Sequence, residues 1–111
     1  MQLRVAIPTG KGGLGDRIHE SLVRAPTFTL VLVRDGEVAG VEVVGNPYSR
    51  EPYGAGSKVA LFLVSLGVDA VVSRMDCPKG KAIFNASGVK IVKVEGPLGV
   101  LEALDRLGIT H

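Results

Sequence analysis

The chain has 111 residues, enough for one domain (residues 1–111) and too few for two of ordinary size. Apolar residues make up 46% and charged residues 22%, which excludes a disordered chain and fits a globular one that buries a core without staples. The net charge is +2, with Lys and Arg scattered and aromatics at 5%, so neither a basic stripe nor a stacking platform for nucleic acid is expected.

The opening stretch, Met1-Gln2-Leu3-Arg4-Val5-Ala6-Ile7-Pro8, lacks the long apolar core of a signal peptide. The longest apolar runs, Leu30 to Val33 and Ala60 to Val64, fall far below a membrane span of about 20 residues. Cys77 is the single cysteine, which excludes an intrachain disulfide and fits a reducing compartment. The expectation is a cytoplasmic protein with no membrane contact.

Leu3, Val5 and Ile7 alternate with Gln2, Arg4 and Ala6, a first strand that Pro8 is expected to end. Thr9 to Arg17 is a glycine-rich loop, and Ile18 to Arg24 has the makings of a short helical turn stopped by Pro26. Thr27 to Arg34 is a second strand, Asp35-Gly36 a tight turn, and Glu37 to Val44 a third strand, which together make an antiparallel meander. Gly45 to Gly54 is a loop. Ala55 to Leu66 is a helix with Val59, Leu63 and Leu66 on one face, ended by Gly67. Asp69 to Ser73 is a fourth strand, Pro78 to Ser87 a helix ended by Gly88, Val89 to Val94 a fifth strand, and Pro97 to Leu107 a helix ended by Gly108. Alternating helix and strand in the second half predicts parallel pairing with right-handed crossovers, hence an α/β domain with a mixed five-stranded sheet and helices packed on it.

Gly10-Lys11-Gly12-Gly13-Leu14-Gly15-Asp16-Arg17 follows the first strand and echoes a deviant phosphate loop. Such a loop needs a second Lys on the phosphates and a hydroxyl on Mg²⁺, where this chain has Asp16 and Arg17, so Mg²⁺-dependent nucleotide binding is not expected. The bland alternative is a flexible glycine loop. Pro78 suits the first position of a helix, which puts Cys77 at the helix N-terminus, where a thiolate is favoured and a soft metal has a ligand; the alternative is a small inert cysteine. His19 is a candidate ligand or a solvated surface group, and His111 is terminal. With the first strand central, the Gly10–Gly15 loop is expected to face the start of the Pro78 helix across the carboxyl edge of the sheet. There Gly10, Gly12, Gly13 and Gly15 would offer backbone N–H groups to an anion, with Lys79 nearby. No base is placed beside a nucleophile, and the first strand carries no acid, so catalysis is not expected.

In order along the chain stand Val5-Ala6-Ile7-Pro8, Gly12-Gly13-Leu14, Arg24-Ala25-Pro26 with Phe28, Val41 to Pro47, and Gly54-Ala55-Gly56. Leu66-Gly67-Val68-Asp69-Ala70-Val71-Val72, Pro78-Lys79 and Ser87-Gly88-Val89-Lys90 follow. This series resembles the dinitrogenase iron–molybdenum cofactor biosynthesis family, NifX-like type, over almost the whole chain. The resemblance implies a ribonuclease-H-like three-layer fold without nuclease activity, with sheet order 3-2-1-4-5 and the second strand antiparallel to the others. It also implies that some members bind iron–sulfur or iron–molybdenum clusters. Joined to the residue reading above, the expectation is a carrier of such a cluster, with Cys77 and His19 as ligands and a protein partner in cluster transfer. Relatives often read Glu-His-Phe-Gly where this chain has Glu20-Ser21-Leu22-Val23, so Ser21 takes the place of a candidate ligand histidine, and Cys77 stands where relatives often have Gly. A metal-free regulatory module binding a small anion is the alternative.

Overall fold

A computed structural model describes residues 2–109. His111 and Met1 lie outside the described residues. The strands are β1 (Gln2–Thr9), β2 (Thr27–Arg34), β3 (Glu37–Gly45), β4 (Ala70–Ser73) and β5 (Lys90–Lys93); the helices are α1 (Ala55–Ser65), α2 (Pro78–Ala86) and α3 (Val100–Arg106). The sheet order is β3-β2-β1-β4-β5. The two pairings of the β1-β2-β3 meander are antiparallel, and those of β1 with β4 and β4 with β5 are parallel.

The strand period of two divides the core between the faces of the sheet. Val5, Ile7, Val31, Val33 and Val72 pack under Val100, Ala103 and Leu104 of α3. Ala6, Phe28, Leu30 and Val71 pack under Val59, Ala60 and Leu63 of α1 and Phe84 of α2. Because both faces are covered, Val5 to Thr9 are all buried, polar Thr9 included. Each such apolar side chain contributes about 1.5–3 kcal/mol of burial, which offsets the cost of ordering the chain.

Three boundaries differ from the sequence expectation by more than one residue. Strand β1 runs through Pro8 to Thr9, because its pairing with β4 covers only Val5 and Ala6 and a proline beyond it removes no bond from that ladder. The stretch from Ile18 to Arg24 shrinks to one turn, in which the Ala25 N–H donates to the Ser21 carbonyl and the Arg24 N–H to Ser21 Oγ. Helix α3 starts at Val100, since Leu98 to Val100 are held extended against Asp16 to Ile18: the Ile18 N–H donates to the Leu98 carbonyl at 2.8 Å and the Val100 N–H to the Asp16 carbonyl at 2.9 Å.

One buried side chain ties the long loops together. Asn46 Nδ2 donates to the carbonyls of Val23 and Ala25, both at 2.9 Å, and its Oδ1 accepts from the Tyr48 N–H. Asn46→Ala leaves these groups without partners, and we expect it to lower unfolding free energy by about 2–3 kcal/mol in urea titration.

Candidate functional site

Strands β1 and β4 run parallel, so Thr9 and Ser73 end at the same edge of the sheet. The stretches 10–26 and 74–77 therefore gather at the carboxyl edge, the place where open α/β sheets take ligands.

Stretch 10–26 wraps this edge from one core to the other. Ile18 is buried with the α3 side and Leu22 with the α1–α2 side. Between them the His19 N–H donates to the Pro8 carbonyl at 2.7 Å, which sets the half-buried His19 over the end of β1. Its Nδ1 lies 3.0 Å from the Ser21 nitrogen and 3.1 Å from the Ser21 carbonyl oxygen. An unprotonated Nδ1 accepts from the Ser21 N–H. A protonated one donates to the Ser21 carbonyl and leaves Nε2 open to a metal, the usual arrangement for a ligating histidine. Ser21 itself is occupied as the cap of the following turn.

The glycine loop is closed on its own carboxylate. Asp16 Oδ2 accepts from the N–H groups of Gly10 at 3.1 Å and Gly12 at 2.7 Å, and Oδ1 from the Arg17 N–H at 2.8 Å. The Gly13 N–H donates to Thr29 Oγ1 at 3.0 Å, in a buried cluster where the hydroxyls of Thr9, Thr27 and Thr29 meet at 2.7 and 2.9 Å. Three of the four amides expected to face an anion, those of Gly10, Gly12 and Gly13, are thus already donating to side chains of the chain itself. Gly12 makes this closure possible: its φ is +97°, and a Cβ there would stand 2.4 Å from Val43 Cγ1. The loop was also expected to face the start of α2. The backbone that follows it, at Asp16 and Ile18, bonds to Val100 at the start of α3 and to Leu98 just ahead of it.

Cys77 caps the N-terminus of α2, with Pro78 following in the first turn. Its half-buried thiol points into the crossing of α1 and α2, where a Cβ on Gly80 would stand 2.9 Å from Sγ and 3.4 Å from the Gly56 carbonyl oxygen. Beside it is a cavity of about 540 Å³ lined by Met75, Asp76, Cys77, Pro78, Lys81, Ile91 and Lys93. Buried Ser73 shapes its mouth by donating from Oγ to the Met75 carbonyl at 2.6 Å. Met75 is 57% exposed. Lys93 reaches Asp76 at 3.4 Å, a surface pair that restrains neither side chain strongly. Lys79 is exposed on the first turn of α2 and does not line the cavity.

Neither His19 nor any residue of the 10–15 loop lines this cavity, so it is not the expected pocket between the loop and the helix. Among the described residues, no three His, Cys, Asp or Glu side chains gather to hold a metal ion. Sequence reading missed Lys81 and Lys93 as neighbours of Cys77, although Lys81 stands one helical turn after it. It also missed Asp16 as the acceptor for the loop, although an aspartate next to glycines commonly bonds nearby backbone N–H groups.

These features define a class: an α/β protein with a mixed five-stranded sheet whose loops and helix starts gather at the carboxyl edge. The chain belongs to the family described as dinitrogenase iron-molybdenum cofactor, whose model matches residues 1–108. A candidate NifB protein from Thermotoga, solved by NMR, is 32% identical, with a TM-score of 0.76 over 96% of this chain and 88% of that one. The apo form of the orange protein from Desulfovibrio gigas is 27% identical, with a TM-score of 0.81 over 95% and 86% of the two chains. In sequence, an uncharacterised protein of Methanocaldococcus jannaschii is 23% identical over 91 residues, 82% of this chain and 74% of that one.

The Asp16 closure has a pH signature. N–H donation from Gly12 first, then from Arg17, holds the Asp16 carboxyl below its ordinary value, against a smaller opposing effect of burial. A carboxyl with a lowered folded-state pKa stabilises the fold above its unfolded value of about 3.9, and that stabilisation fades as pH falls through the folded value. Asp16→Asn is expected to cost about 1 kcal/mol at neutral pH, discounted for solvent screening, with the gap to wild type closing below about pH 4. Chemical denaturation at a series of pH values checks this; a gap independent of pH would refute it.

Proposed function

We propose that the protein is an accessory or carrier protein that holds an anionic metal cluster, of iron–sulfur or iron–molybdenum type, as cargo and performs no catalytic step. The observation that supports this most is the cavity at the start of α2, lined by Cys77 and Met75 with Lys81 and Lys93, with the Cys77 thiol in the adjoining α1–α2 crossing. Thiol and thioether are soft donors suited to iron–sulfur and copper chemistry, and lysines offset the negative charge of a cluster. The family to which the chain belongs is described by the iron–molybdenum cofactor, which favours this cargo over other anions.

On this reading Cys77 at the cavity is the first ligand, and His19, which does not line that cavity, is the second candidate, through Nε2 with its ring held by Ser21. Lys79, exposed on the first turn of α2, adds positive charge. The glycine loop keeps its shape through Asp16, and Gly15 is its remaining candidate contact with cargo. Two ligands hold a cluster loosely, so a protein partner completes the coordination during transfer. The domain spans 1–111, its ribonuclease-H-like fold serves binding, and the protein works in the cytoplasm, where a lone thiol stays reduced. No helix among the described residues is long and apolar enough to cross a membrane.

Anaerobic reconstitution with iron and sulfide tests this, read by visible absorbance and metal analysis after desalting. Wild type is expected to retain a cluster. Cys77→Ala and His19→Ala, made separately, are expected to lose about tenfold or more in affinity. Full occupancy in both variants would show that these are not the ligands. A wild type that retains no metal under reducing, oxygen-free conditions would replace the carrier with a metal-free module binding a small anion.

A further inference from the structure

Among the described residues, β3 is the outer strand of the sheet and pairs only with β2. It is nine residues long, Glu-Val-Ala-Gly-Val-Glu-Val-Val-Gly from Glu37 to Gly45, and contains no Lys, Arg or Pro. Exposed edges are usually blunted by lysine, by proline or by being very short, because their unpaired N–H and C=O groups accept another strand. The devices on β3 are an irregularity opposite Leu32 and Val33, at Ala39, and two exposed carboxylates, Glu37 and Glu42. Val41 and Val43 pair with Val31 and Thr29, which places them on the α3 face, yet they remain 42% and 45% exposed. Helix α3 covers the sheet further in, over β1 and β4.

We infer that β3 pairs antiparallel with β3 of a second copy, continuing the sheet across a two-fold axis at Val41. The register comes from overlap and charge. Full overlap of the nine residues sets Val41 opposite its own copy, since Val41 is the middle residue of Glu37–Gly45. In that register Glu42 faces Gly40 of the second copy and Glu37 faces Gly45, so no carboxylate meets a carboxylate. A shift that centred the pair on Glu42 would set Glu42 against its own copy, which is unfavourable. The irregularity at Ala39 leaves the central pairs, Gly40 to Glu42, regular. Two exposed valines from each copy then form one apolar strip on the α3 face. An isologous strand pair of this kind buries less than about 1,200 Å² and belongs with transient interfaces, so a Kd between about 10 μM and 1 mM is expected.

Sedimentation equilibrium at concentrations up to about 1 mM tests this, with two variants of opposite sign at one position. A Cβ on Gly40 meets only Leu32, at 3.7 Å, and Gly40 has no positive φ, so the folded monomer accepts side chains there. Gly40→Glu sets a carboxylate against Glu42 of the second copy, twice by symmetry, and is expected to weaken the dimer about 2- to 30-fold. Gly40→Lys sets an ammonium there and is expected to tighten it by a similar factor. Val41→Glu, which meets its own copy, is expected to weaken it as well. A wild type that stays monomeric at about 1 mM overturns the inference. So does a dimer whose Kd moves in the same direction, or not at all, in Gly40→Glu and Gly40→Lys.

Discussion

Strand β1 is paired on both edges and covered on both faces, and the chain leaving it at Thr9 has to satisfy its own polar groups beyond the backbone ladder of the sheet. A buried carbonyl without a partner costs about 1–3 kcal/mol, so the end of such a strand has to be built rather than left frayed. The stretch from Gly10 to Pro26 does this. It gives the Pro8 carbonyl the His19 N–H, uses the Thr27 and Thr29 hydroxyls to pair Gly10 and Gly13, and plants Ile18 and Leu22 in opposite cores. His19 sits over β1 because it lies between those two anchors. The placement of the candidate ligand is therefore a consequence of closing the sheet.

The same demand accounts for Asp16. Glycines let the loop turn tightly against Val43, but tight turns aim several N–H groups inward at once, and these need an acceptor. A carboxylate accepts several donors through two oxygens, where a hydroxyl or amide would accept fewer. In a phosphate loop the ligand is that acceptor; here the chain supplies its own. This is a physical reason, beyond simple repulsion, for expecting no nucleotide at a Gly-Lys-Gly-Gly stretch ending in Asp.

What the residues disclosed on their own follows from local rules. The five strands, the glycine that ends each helix and the Pro78 start of α2 rest on periodicity and on capping, which act within a few residues. The sheet order was expected from family resemblance, with the parallel pairing of the second half read from its alternating helices and strands. The closure of the glycine loop on Asp16 is local, but its anchoring was not legible, because it depends on bonds between Gly13 and Thr29 and between Val100 and Asp16, groups distant in the chain. For the same reason the extension of β1 through Pro8 was hidden: it requires knowing that β4 pairs no further than Ala6. Cys77 was legible as the cap of α2, but its cavity was not, since Ile91 and Lys93 come from β5.

The difference between the two halves of the edge bears on how cargo would be held. The glycine loop has the Gly10, Gly12 and Gly13 amides already bonded within the chain and is laced to the start of α3, so it has little freedom to reorganise around a ligand. The α2 side is less committed: Met75 is exposed, Lys81 lines an open cavity, and the pair between Lys93 and Asp76 is a surface contact worth little. Groups with weak existing partners are inexpensive to recruit, and a bound cluster that is equally inexpensive to release suits a protein that hands its cargo on. A rigid platform at β1, with His19 fixed upon it, and weakly partnered Met75 and lysines at α2 divide the labour between orientation and exchange. On the proposed function, the rigid half sets where the cargo sits and the loose half sets how fast it leaves.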